Sequence, residues 1–407
     1  MKSAEYEVLI IGGGLVGASL ACALGEQNLP TALIESVPIE AREQPGYDDR
    51  AIALAQGTQR IFNTMGLWKP LAPSVTPIHR IHVSDRGRFG FTRLDREEEG
   101  VEALGYVAPI LELGRVLAER MNRLPAVKVI CPAQLKGFSQ EEQSVEAEVE
   151  SPEGDLNLSA RLLVAADGAR SGIRDQLNIP VTRWQYGQSA VITNITPQLP
   201  HRNIAYERFT DTGPLAVLPM RDRRCAVVWT VEDRQVEFVM SLDDDEFIAR
   251  LEDRFGSRLG RLEKVGTRQA FPLQMLRAKE AVRHRLALIG NAAHTLHPIA
   301  GQGFNLGIRD VATLTEVIVD AVRQGLDPGE IGVLNRYADW RRSDHLRVVA
   351  FTDAIARLFS WQLLPVTLLR DTGMVGLDLL SPAKRLFARL TMGRAGRMPR
   401  LSRGMKP

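Results

Sequence analysis

Four residues near the N-terminus have the types and spacing needed to bind a dinucleotide. Gly12, Gly14 and Gly17 form a G-x-G-x-x-G pattern, and Glu35 lies 21 residues after Gly14. Gly12 allows a tight turn, Gly14 lets a pyrophosphate approach the backbone, and Gly17 lets a helix pack closely on a sheet. An acid such as Glu35 can accept hydrogen bonds from an adenosine ribose. The pattern predicts a dinucleotide site, but alone it does not distinguish FAD from NAD.

A second group of polar residues follows the apolar run Leu162–Ala166. It begins with Asp167-Gly168 and continues through Ser171 to Arg174. An acid at a strand end, followed by Gly, Ser and Arg, suits a ligand crevice at the carboxyl edge of a parallel sheet. The alternative is a hairpin turn at Asp-Gly, but no alternating strand follows at once, and we therefore favour the crevice.

A third group follows the apolar run Leu286–Ile289, beginning at Asn291. We predict a helix from about Asn305 to Arg323, with Gly301 and Gly303 just before it. Backbone N–H groups and the helix dipole at that position favour a flat ligand that carries negative charge.

Two histidines in this stretch raise the question of a metal. His294 and His297 are three residues apart, but no carboxylate or cysteine nearby in the sequence completes a ligand pattern. We therefore predict no metal site.

The elements that must position these groups alternate between strands and helices. Apolar runs predict strands at Glu7–Ile11, Thr31–Ile34 and before Asp167 and Asn291, and this pattern favours an α/β fold with a doubly wound parallel sheet. Residues 181–275 are rich in strand patterns, interrupted by one acidic helix at about Asp243–Phe255, and predict an inserted antiparallel sheet. Its inner face is a natural wall for a bound small molecule.

We accordingly divide the chain into three regions. The predicted cofactor domain is discontinuous and comprises residues 1–75, 100–180 and 276–330. The predicted substrate domain, residues 76–99 and 181–275, is inserted into it. A helical region with a basic tail, residues 331–407, ends the chain.

Composition narrows the class of protein and its location. The 407 residues suffice for two or three domains, and the net charge of +2 argues against a nucleic-acid partner. Cys22, Cys131 and Cys225 are far apart and form no C-x-x-C pair, which fits a reducing compartment. No signal-peptide pattern and no apolar stretch of roughly 20 residues is present. We expect a cytoplasmic protein, at most peripheral on the inner face of the membrane.

The three groups together resemble the FAD-dependent aromatic hydroxylases, which include para-hydroxybenzoate hydroxylase. That family has G-x-G-x-x-G with a distant Glu, a D-G-x-x-S-x-x-R motif, and a Gly-Asp motif before a Gly-rich loop containing Pro. The segments Asp48–Leu54 and His297–Gly307 resemble, more narrowly, the hydroxylases of the ubiquinone pathway. One departure is Asn291, which replaces the motif's Asp and can still bond a ribityl hydroxyl but adds no negative charge.

The resemblance implies a role for each motif residue. Non-covalent FAD would be held by residues along its whole length, from the ADP half to the ring: Gly12, Gly14, Gly17, Glu35, Arg50, Arg115, Asp167, Asn291, Gly303, Phe304 and Asn305. Pro298, Gly301, Gln302 and Gly303 would line the isoalloxazine ring. For Arg50, which follows two acids, a surface ion pair is an equally good interpretation.

The implied reaction is aromatic hydroxylation. NADPH or NADH would reduce the flavin, dioxygen would add to give a C4a-hydroperoxide, and a phenol ring would take up one oxygen atom. In the ubiquinone group the substrate is a polyprenylated phenol of the 2-polyprenyl-6-methoxyphenol type. The sequence identifies no general base; Tyr206, Arg208 and Arg221 lie on predicted strands, where ordinary sheet residues are expected.

The C-terminal region suggests how such a substrate could be reached. An apolar patch at Trp361–Leu369 precedes eight basic residues after Ser381, with no acid among them. The alternatives are a helical cap with a disordered basic tail, or attachment to anionic lipid, which we favour. Under the second, truncation after Leu380 should weaken vesicle binding and spare FAD binding.

Two other functions remain open from the sequence. One is hydroxylation of a small soluble aromatic acid, which the apolar and basic C-terminus disfavours. The other is a non-catalytic flavin-bearing subunit of a biosynthetic complex, which the intact motifs disfavour.

Overall fold

The computed structural model describes residues 4–37, 50–296, 301–360 and 364–407. Within them the strands form three sheets, and we number strands and helices in chain order. The first sheet has a parallel centre with the spatial order β19-β11-β1-β2-β8, where the bounds are β1 (Tyr6–Ile11), β2 (Thr31–Ile34), β8 (Val127–Ile130), β11 (Gly154–Ala165) and β19 (Leu286–Leu288). The central strands β1, β2 and β19 and the last residues of β11 are largely apolar and buried, as expected where both faces of a sheet are covered.

Helices cover one face of this sheet and a strand meander covers the other. On the helical face lie α1 (Leu15–Gly25), α2 (Gln56–Thr64), α3 (Trp68–Leu71), α4 (Ile110–Met121) and α8 (Gln302–Arg323). Against the other face lie β9 (Gln134–Gln140), β10 (Val145–Ser151) and the short helix α5 (Gly172–Gln176), while β18 (Val282–Arg283) adds an antiparallel edge. The predicted α/β fold is confirmed.

The second sheet, which we call the substrate sheet, is mainly antiparallel. Its order is β20-β17-β12-β15-β14-β13-β5-β6, with β16 beside β12. The bounds are β5 (Arg80–Asp85), β6 (Phe91–Asp95), β12 (Val181–Pro197), β13 (Ile204–Thr210), β14 (Gly213–Pro219), β15 (Cys225–Glu232), β16 (Leu262–Val265), β17 (Gln269–Ala278) and β20 (His294–Thr295). Helices α6 (Val236–Ser241) and α7 (Asp244–Phe255) pack on one face.

A small third sheet joins the two larger ones. Its strands are β3 (Ala51–Ala55), β4 (Thr76–Ile78) and β7 (Gly105–Pro109). β4 therefore pairs with β7 and not with the substrate sheet, and β17 runs continuously across residue 275, where we had divided the chain.

Three helices end the chain, as the sequence predicts. They are α9 (Ile331–Ser360), α10 (Leu364–Leu379) and α11 (Ser381–Thr391). Among the described residues, no helix has the length and apolar character that a membrane span requires.

Candidate functional site

The glycine turn after β1 has the shape of a phosphate cradle. Gly12 has φ +103°, and a Cβ on it would lie 2.5 Å from the carbonyl oxygen of Ala166. A Cβ on Gly17 would overlap the carbonyl oxygen of Gly12. Gly14 differs, because a Cβ there would meet nothing within 4 Å. Gly12 and Gly17 are required by the packing of the protein itself, whereas the open space at Gly14 fits a ligand.

Glu35 is bound to this turn. Its Oε2 accepts a 2.6 Å hydrogen bond from the Gly13 N–H, and its Oε1 accepts one of 2.9 Å from the Val37 N–H. A carboxylate oxygen has two lone pairs, so both oxygens can also accept a ribose hydroxyl. The predicted acid therefore lies beside the predicted phosphate turn.

Asp167 offers an unsatisfied acceptor at the end of β11. Its Oδ2 accepts a 3.3 Å bond from the Ile173 N–H, while its Oδ1 is buried and has no hydrogen-bond partner in the described part of the chain. Buried carboxylate oxygens are normally paired, so this atom fits a donor from a bound group such as a cofactor hydroxyl. Arg174 is fully buried and donates to the carbonyls of Ala292 (3.1 Å) and Ala169 (2.8 Å). It therefore connects two of the predicted motifs.

The fold brings the three sequence motifs together. Because β1, β11 and β19 are adjacent parallel strands, the residues that follow them, Gly12, Asp167 and Asn291, lie at the same edge of the sheet. Asn291 is exposed there, after Gly290 at φ +57°. This edge is where open α/β sheets bind their ligands.

The helix of the third motif begins earlier than predicted. Gly301 is the N-cap, with φ +60°, and α8 starts at Gln302, so Gly303 lies in the first turn and not before it. A left-handed Gly stops the preceding chain from extending the helix, and the turn's N–H groups are left for a ligand. Pro298 and His297 lie outside the described residues.

Asn305 is engaged with the protein. Its Oδ1 accepts bonds of 2.7 Å from the Ala55 N–H and the Thr58 hydroxyl, and its Nδ2 donates to the carbonyls of Ala53 (2.9 Å) and Gly301 (2.6 Å). The amide thus uses two donors and two acceptors and fixes β3 against the start of α8. Its contribution to a cofactor site is to position Gly301.

The remaining motif side chains differ in accessibility. The ring of Phe304 packs edge to face on Phe62, 6.4 Å between centroids. Arg50 places its guanidinium 5.9 Å from the centre of the Phe271 ring, and its neighbours Asp48 and Asp49 lie outside the described residues. Arg115 is exposed and pairs with two acids of its own helix, Glu112 (3.0 Å) and Glu119 (2.5 Å). A cofactor contact by Arg115 would require these pairs to open.

A buried acid connects the third motif to the C-terminal helices. Asp310 accepts from the Gly290 N–H at 3.2 Å and lies 2.7 Å from each of His294 Nε2, His345 Nε2 and Arg341 Nε. Nearby positive charge, including Arg341, holds the pKa of this carboxyl well below its usual range despite burial.

This cluster was not visible in the sequence. Side-chain atoms of His294, Asp310 and His345 that could bind a metal lie within 4.8 Å of one another. His294 therefore has a carboxylate beside it, which the sequence around it did not reveal. The Arg341 guanidinium already neutralises Asp310 and would repel a cation. The arrangement is that of a hydrogen-bond network that holds α9 against the turn at Gly290.

An apolar cavity of about 550 Å³ lies between the substrate sheet and the C-terminal helices. We call it the substrate cavity. One end is formed by β3 and by Gly301 and Gln302 at the start of α8, which is the predicted ring site. The far wall consists of α9, α10 and α11, represented by Phe359, Met374 and Phe387. The cavity therefore connects the predicted flavin position to the C-terminal region.

Glu207 is the charged residue that the sequence did not single out. It lies on β13 between Ala205 and Phe209 and lines the substrate cavity with them. Burial raises the pKa of its carboxyl to about 7. The alternation of β13 could have identified it, because its neighbours point to the opposite face of the sheet: the Tyr206 ring packs against Phe255, 5.4 Å between centroids, and Arg208 lines a separate pocket. Arg221 donates instead to the carbonyl of Pro73.

The less favoured alternative, a disordered basic tail, does not describe this segment, which forms helices and packs on the rest of the protein. Leu401 is 3 % exposed and belongs to the main core, and the Met392 carbonyl accepts from the Gly57 N–H at 2.9 Å. Two of the basic residues pair closely with acids on other elements: Arg400 with Asp320 at 2.6 Å and Lys384 with Glu98 at 2.7 Å. The final segment is folded onto the cofactor domain, and truncation after Leu380 would remove part of the cavity wall.

Fold and site together define a dinucleotide-binding flavoprotein. The chain belongs to the family described as FAD binding domain, which matches residues 5–352. A relative of 40 % identity, covering 98 % of this chain and 93 % of the relative, is ubiquinone hydroxylase UbiL of Rhodospirillum rubrum. The 3-demethoxyubiquinol 3-hydroxylase of Escherichia coli is 30 % identical over 97 % of this chain and 100 % of its own length. Ubiquinone biosynthesis monooxygenase COQ6 of Mus musculus is 29 % identical, covering 93 % of this chain and 89 % of the relative.

A solved structure supports the fold independently. The p-nitrophenol 4-monooxygenase PnpA of Pseudomonas putida superposes with a TM-score of 0.80 at 20 % identity, covering 98 % of this chain and 100 % of that one. The family match and the curated relatives confirm the resemblance to FAD-dependent hydroxylases, and the protein is an FAD-dependent monooxygenase.

Proposed function

We propose that this monooxygenase hydroxylates the aromatic ring of a polyprenylated phenol, of the 2-polyprenyl-6-methoxyphenol type, in ubiquinone biosynthesis. Support for the pathway comes from the names of the relatives, which are a ubiquinone hydroxylase and a ubiquinone biosynthesis monooxygenase. Support for the substrate class comes from the substrate cavity.

The chemistry of the cavity wall carries the proposal. Among the described residues that line the cavity there is no Lys, Arg or His, and Glu207 is the single charged side chain. A substrate carboxylate would be desolvated there without a cationic partner and would face a second acid, which is strongly unfavourable. A neutral phenol with an apolar chain brings no charge to desolvate, and Glu207 offers its hydroxyl a hydrogen-bond partner. The wall therefore disfavours a small aromatic acid as substrate.

The protein's own groups would prepare the ring. Bound FAD, reduced by NADPH or NADH, supplies the activation of dioxygen. The N–H groups at the start of α8 favour negative charge beside Gly301. The apolar side chains of the sheet and of α9 to α11 exclude water from the space next to it.

Glu207 is the group suited to receive the phenol proton. With a pKa raised to about 7, a substantial fraction of the carboxyl is ionised at neutral pH and can accept that proton. Loss of the proton makes the ring more electron-rich and a better acceptor of an electrophilic oxygen atom. Glu207 returns this proton to the original ring oxygen as the product regains aromaticity, when the hydroxylated ring carbon gives up its hydrogen as a proton.

Substrate ranking tests this function. Purified holoenzyme would be mixed with NADPH or NADH and either a short-chain prenylated phenol or 4-hydroxybenzoate, and the hydroxylated product measured by mass spectrometry. We expect product from the prenylated phenol at least tenfold faster. Equal or faster turnover of the carboxylate would refute the proposed substrate class, and flavin that is never reduced with either phenol would favour a non-catalytic subunit.

A further inference from the structure

The outward face of α10 is apolar while its inward face is charged. Leu368 and Leu369 are 48 % and 75 % exposed. Leu379 and Leu380 lie eleven positions further on, about three helical turns and so on the same side, and they are 74 % and 60 % exposed, with Leu380 just past the end of α10. Arg370 and Asp371, by contrast, are 4 % and 1 % exposed. A helix on a water-facing surface normally has the opposite distribution. We call these four leucines the leucine face.

A second cavity, of about 540 Å³, opens beside the leucine face. Leu368 and Asp371 of α10 form one side, and Arg88, Arg208 and Arg258 form much of the rest, so we call it the arginine pocket. It lies on the opposite side of the substrate sheet from the substrate cavity, because Arg208 and Glu207 alternate along β13.

Two of these guanidinium groups converge without an acidic partner. A Cβ placed on Gly256 would lie 3.5 Å from Nη1 of Arg208 and 3.8 Å from Nη1 of Arg258. Arg208 Nε is buried and has no hydrogen-bond partner in the described residues, and Arg258 makes one weak bond of 3.4 Å to the Phe255 carbonyl. Burial, Arg258 and Arg86 all lower the pKa of Arg208, which shows that the cations repel one another.

The two acids of the pocket, Asp85 and Asp371, offset only part of this positive charge. His82 Nε2 is buried and unpaired within the described chain, and is available as a donor. Asp85 already accepts from Arg370 and lies 3.8 Å from Arg88. Asp371 also lines the pocket, and burial and the neighbouring Asp85 raise the pKa of its carboxyl. Two converging guanidinium groups, Arg208 half-buried and Arg258 exposed at the mouth of the pocket, are suited to a phosphate.

We propose that the arginine pocket binds the phosphate of an anionic phospholipid and that the leucine face rests against the same bilayer. Phe89, which lines the pocket and is 57 % exposed, would enter the interface beside the leucines. This inference rests on the proposed function, because a polyprenylated substrate resides in lipid, and α10 forms both the leucine face and, through Met374 and Leu377, a wall of the substrate cavity. A nicotinamide dinucleotide is a poorer match, since the pocket and the flavin site lie on opposite sides of the sheet.

Vesicle co-sedimentation of full-length holoenzyme tests the pocket. The vesicles would be phosphatidylcholine alone or with about one third phosphatidylglycerol. The double variant Arg208→Gln/Arg258→Gln should lower partition to the anionic vesicles about ten- to thirtyfold, because each cation near such a surface contributes roughly a factor of five. The control Arg123→Gln/Arg336→Gln removes two exposed arginines outside the pocket and should change partition less than threefold. Equal losses in both double variants would overturn the proposal.

Two further arms separate the sources of phosphate and the two parts of the surface. Inorganic phosphate at physiological concentration should not displace the protein from anionic vesicles. Full displacement would assign the pocket to a soluble phosphate. So would a changed KM for NADPH in the pocket variant together with unchanged vesicle binding. Leu369→Gln should weaken the salt-resistant part of binding, whereas Leu326→Gln, also exposed, should not. Turnover of a short-chain soluble phenol should be unaffected by the pocket variants, so these outcomes do not depend on the substrate being correctly identified.

Discussion

The carbonyl oxygen of Gly12 occupies the space where a side chain on Gly17 would begin. Gly14, between them, has an ordinary extended backbone at φ −63° and open space around it. Replacement by valine at Gly14 and at Gly17 should therefore have different consequences. Gly14→Val should fold and lose most of its flavin, because its methyl groups occupy the phosphate position. Gly17→Val should fail to fold stably.

Flavin absorbance per protein and thermal unfolding of the FAD-stripped proteins check this pair. Stripped Gly14→Val should melt within a few degrees of the stripped wild type. Normal flavin content in Gly14→Val would show that the turn is not the phosphate site.

The network around Asp310 should be a large contribution to stability. Asp310→Asn leaves the buried Arg341 guanidinium without its charged partner, a change that typically costs about 3 to 5 kcal/mol. Urea unfolding measures the effect. Asp339→Asn is a matched control, because Asp339 forms an exposed pair with Arg342 and its loss should cost less than about 1 kcal/mol. Similar values for both variants would contradict the role assigned to the network.

Glu207 predicts the pH dependence of hydroxylation. A carboxyl with a pKa near 7 loses its proton as the pH rises through that value, so the active base is present above about pH 7. Hydroxylation should fall about tenfold per pH unit below it. Glu207→Gln should remove this limb and lower the rate on the order of a hundredfold, while peroxide release continues. Glu263→Gln, exposed on the same sheet, should leave the profile unchanged.

The end of the chain should be required for stability. Leu401→Ala removes a side chain from the main core and should cost about 2 to 5 kcal/mol. Leu386→Ala is the control, since that leucine is 61 % exposed and its loss should change stability by less than about 0.5 kcal/mol. Truncation after Leu380 should lower flavin content as well as stability. A truncated protein with full flavin content would restore the idea of a dispensable tail.

Local chemistry could be predicted from the sequence where one short segment carries it. The turn from Gly12 to Gly17 is formed by residues close in sequence, and Glu35 follows the next strand. The sequence therefore predicted that both would lie together, as they do in the structure. The Asp310 cluster joins residues 16 and 35 positions apart, so no local spacing reveals it.

The residues of the substrate cavity needed the tertiary structure. Whether the side chain of Arg208 or that of Glu207 faces the cavity depends on which side of β13 is covered by α7 and which by the C-terminal helices. The basic residues after Ser381 have no acids among themselves, and the acids that pair with Lys384 and Arg400 belong to distant segments. The segment after Ser381 has the composition of a free tail, but it is folded.

Incorporation of labelled oxygen tests the central claim most directly. Holoenzyme reduced by NADPH or NADH would react with a prenylated phenol under dioxygen labelled with the heavy isotope, and the product mass would be measured. We predict one heavy oxygen atom on the aromatic ring of each product molecule. A ring without the label, with all reducing equivalents recovered as hydrogen peroxide, would contradict the assignment of this protein as a hydroxylase of polyprenylated phenols.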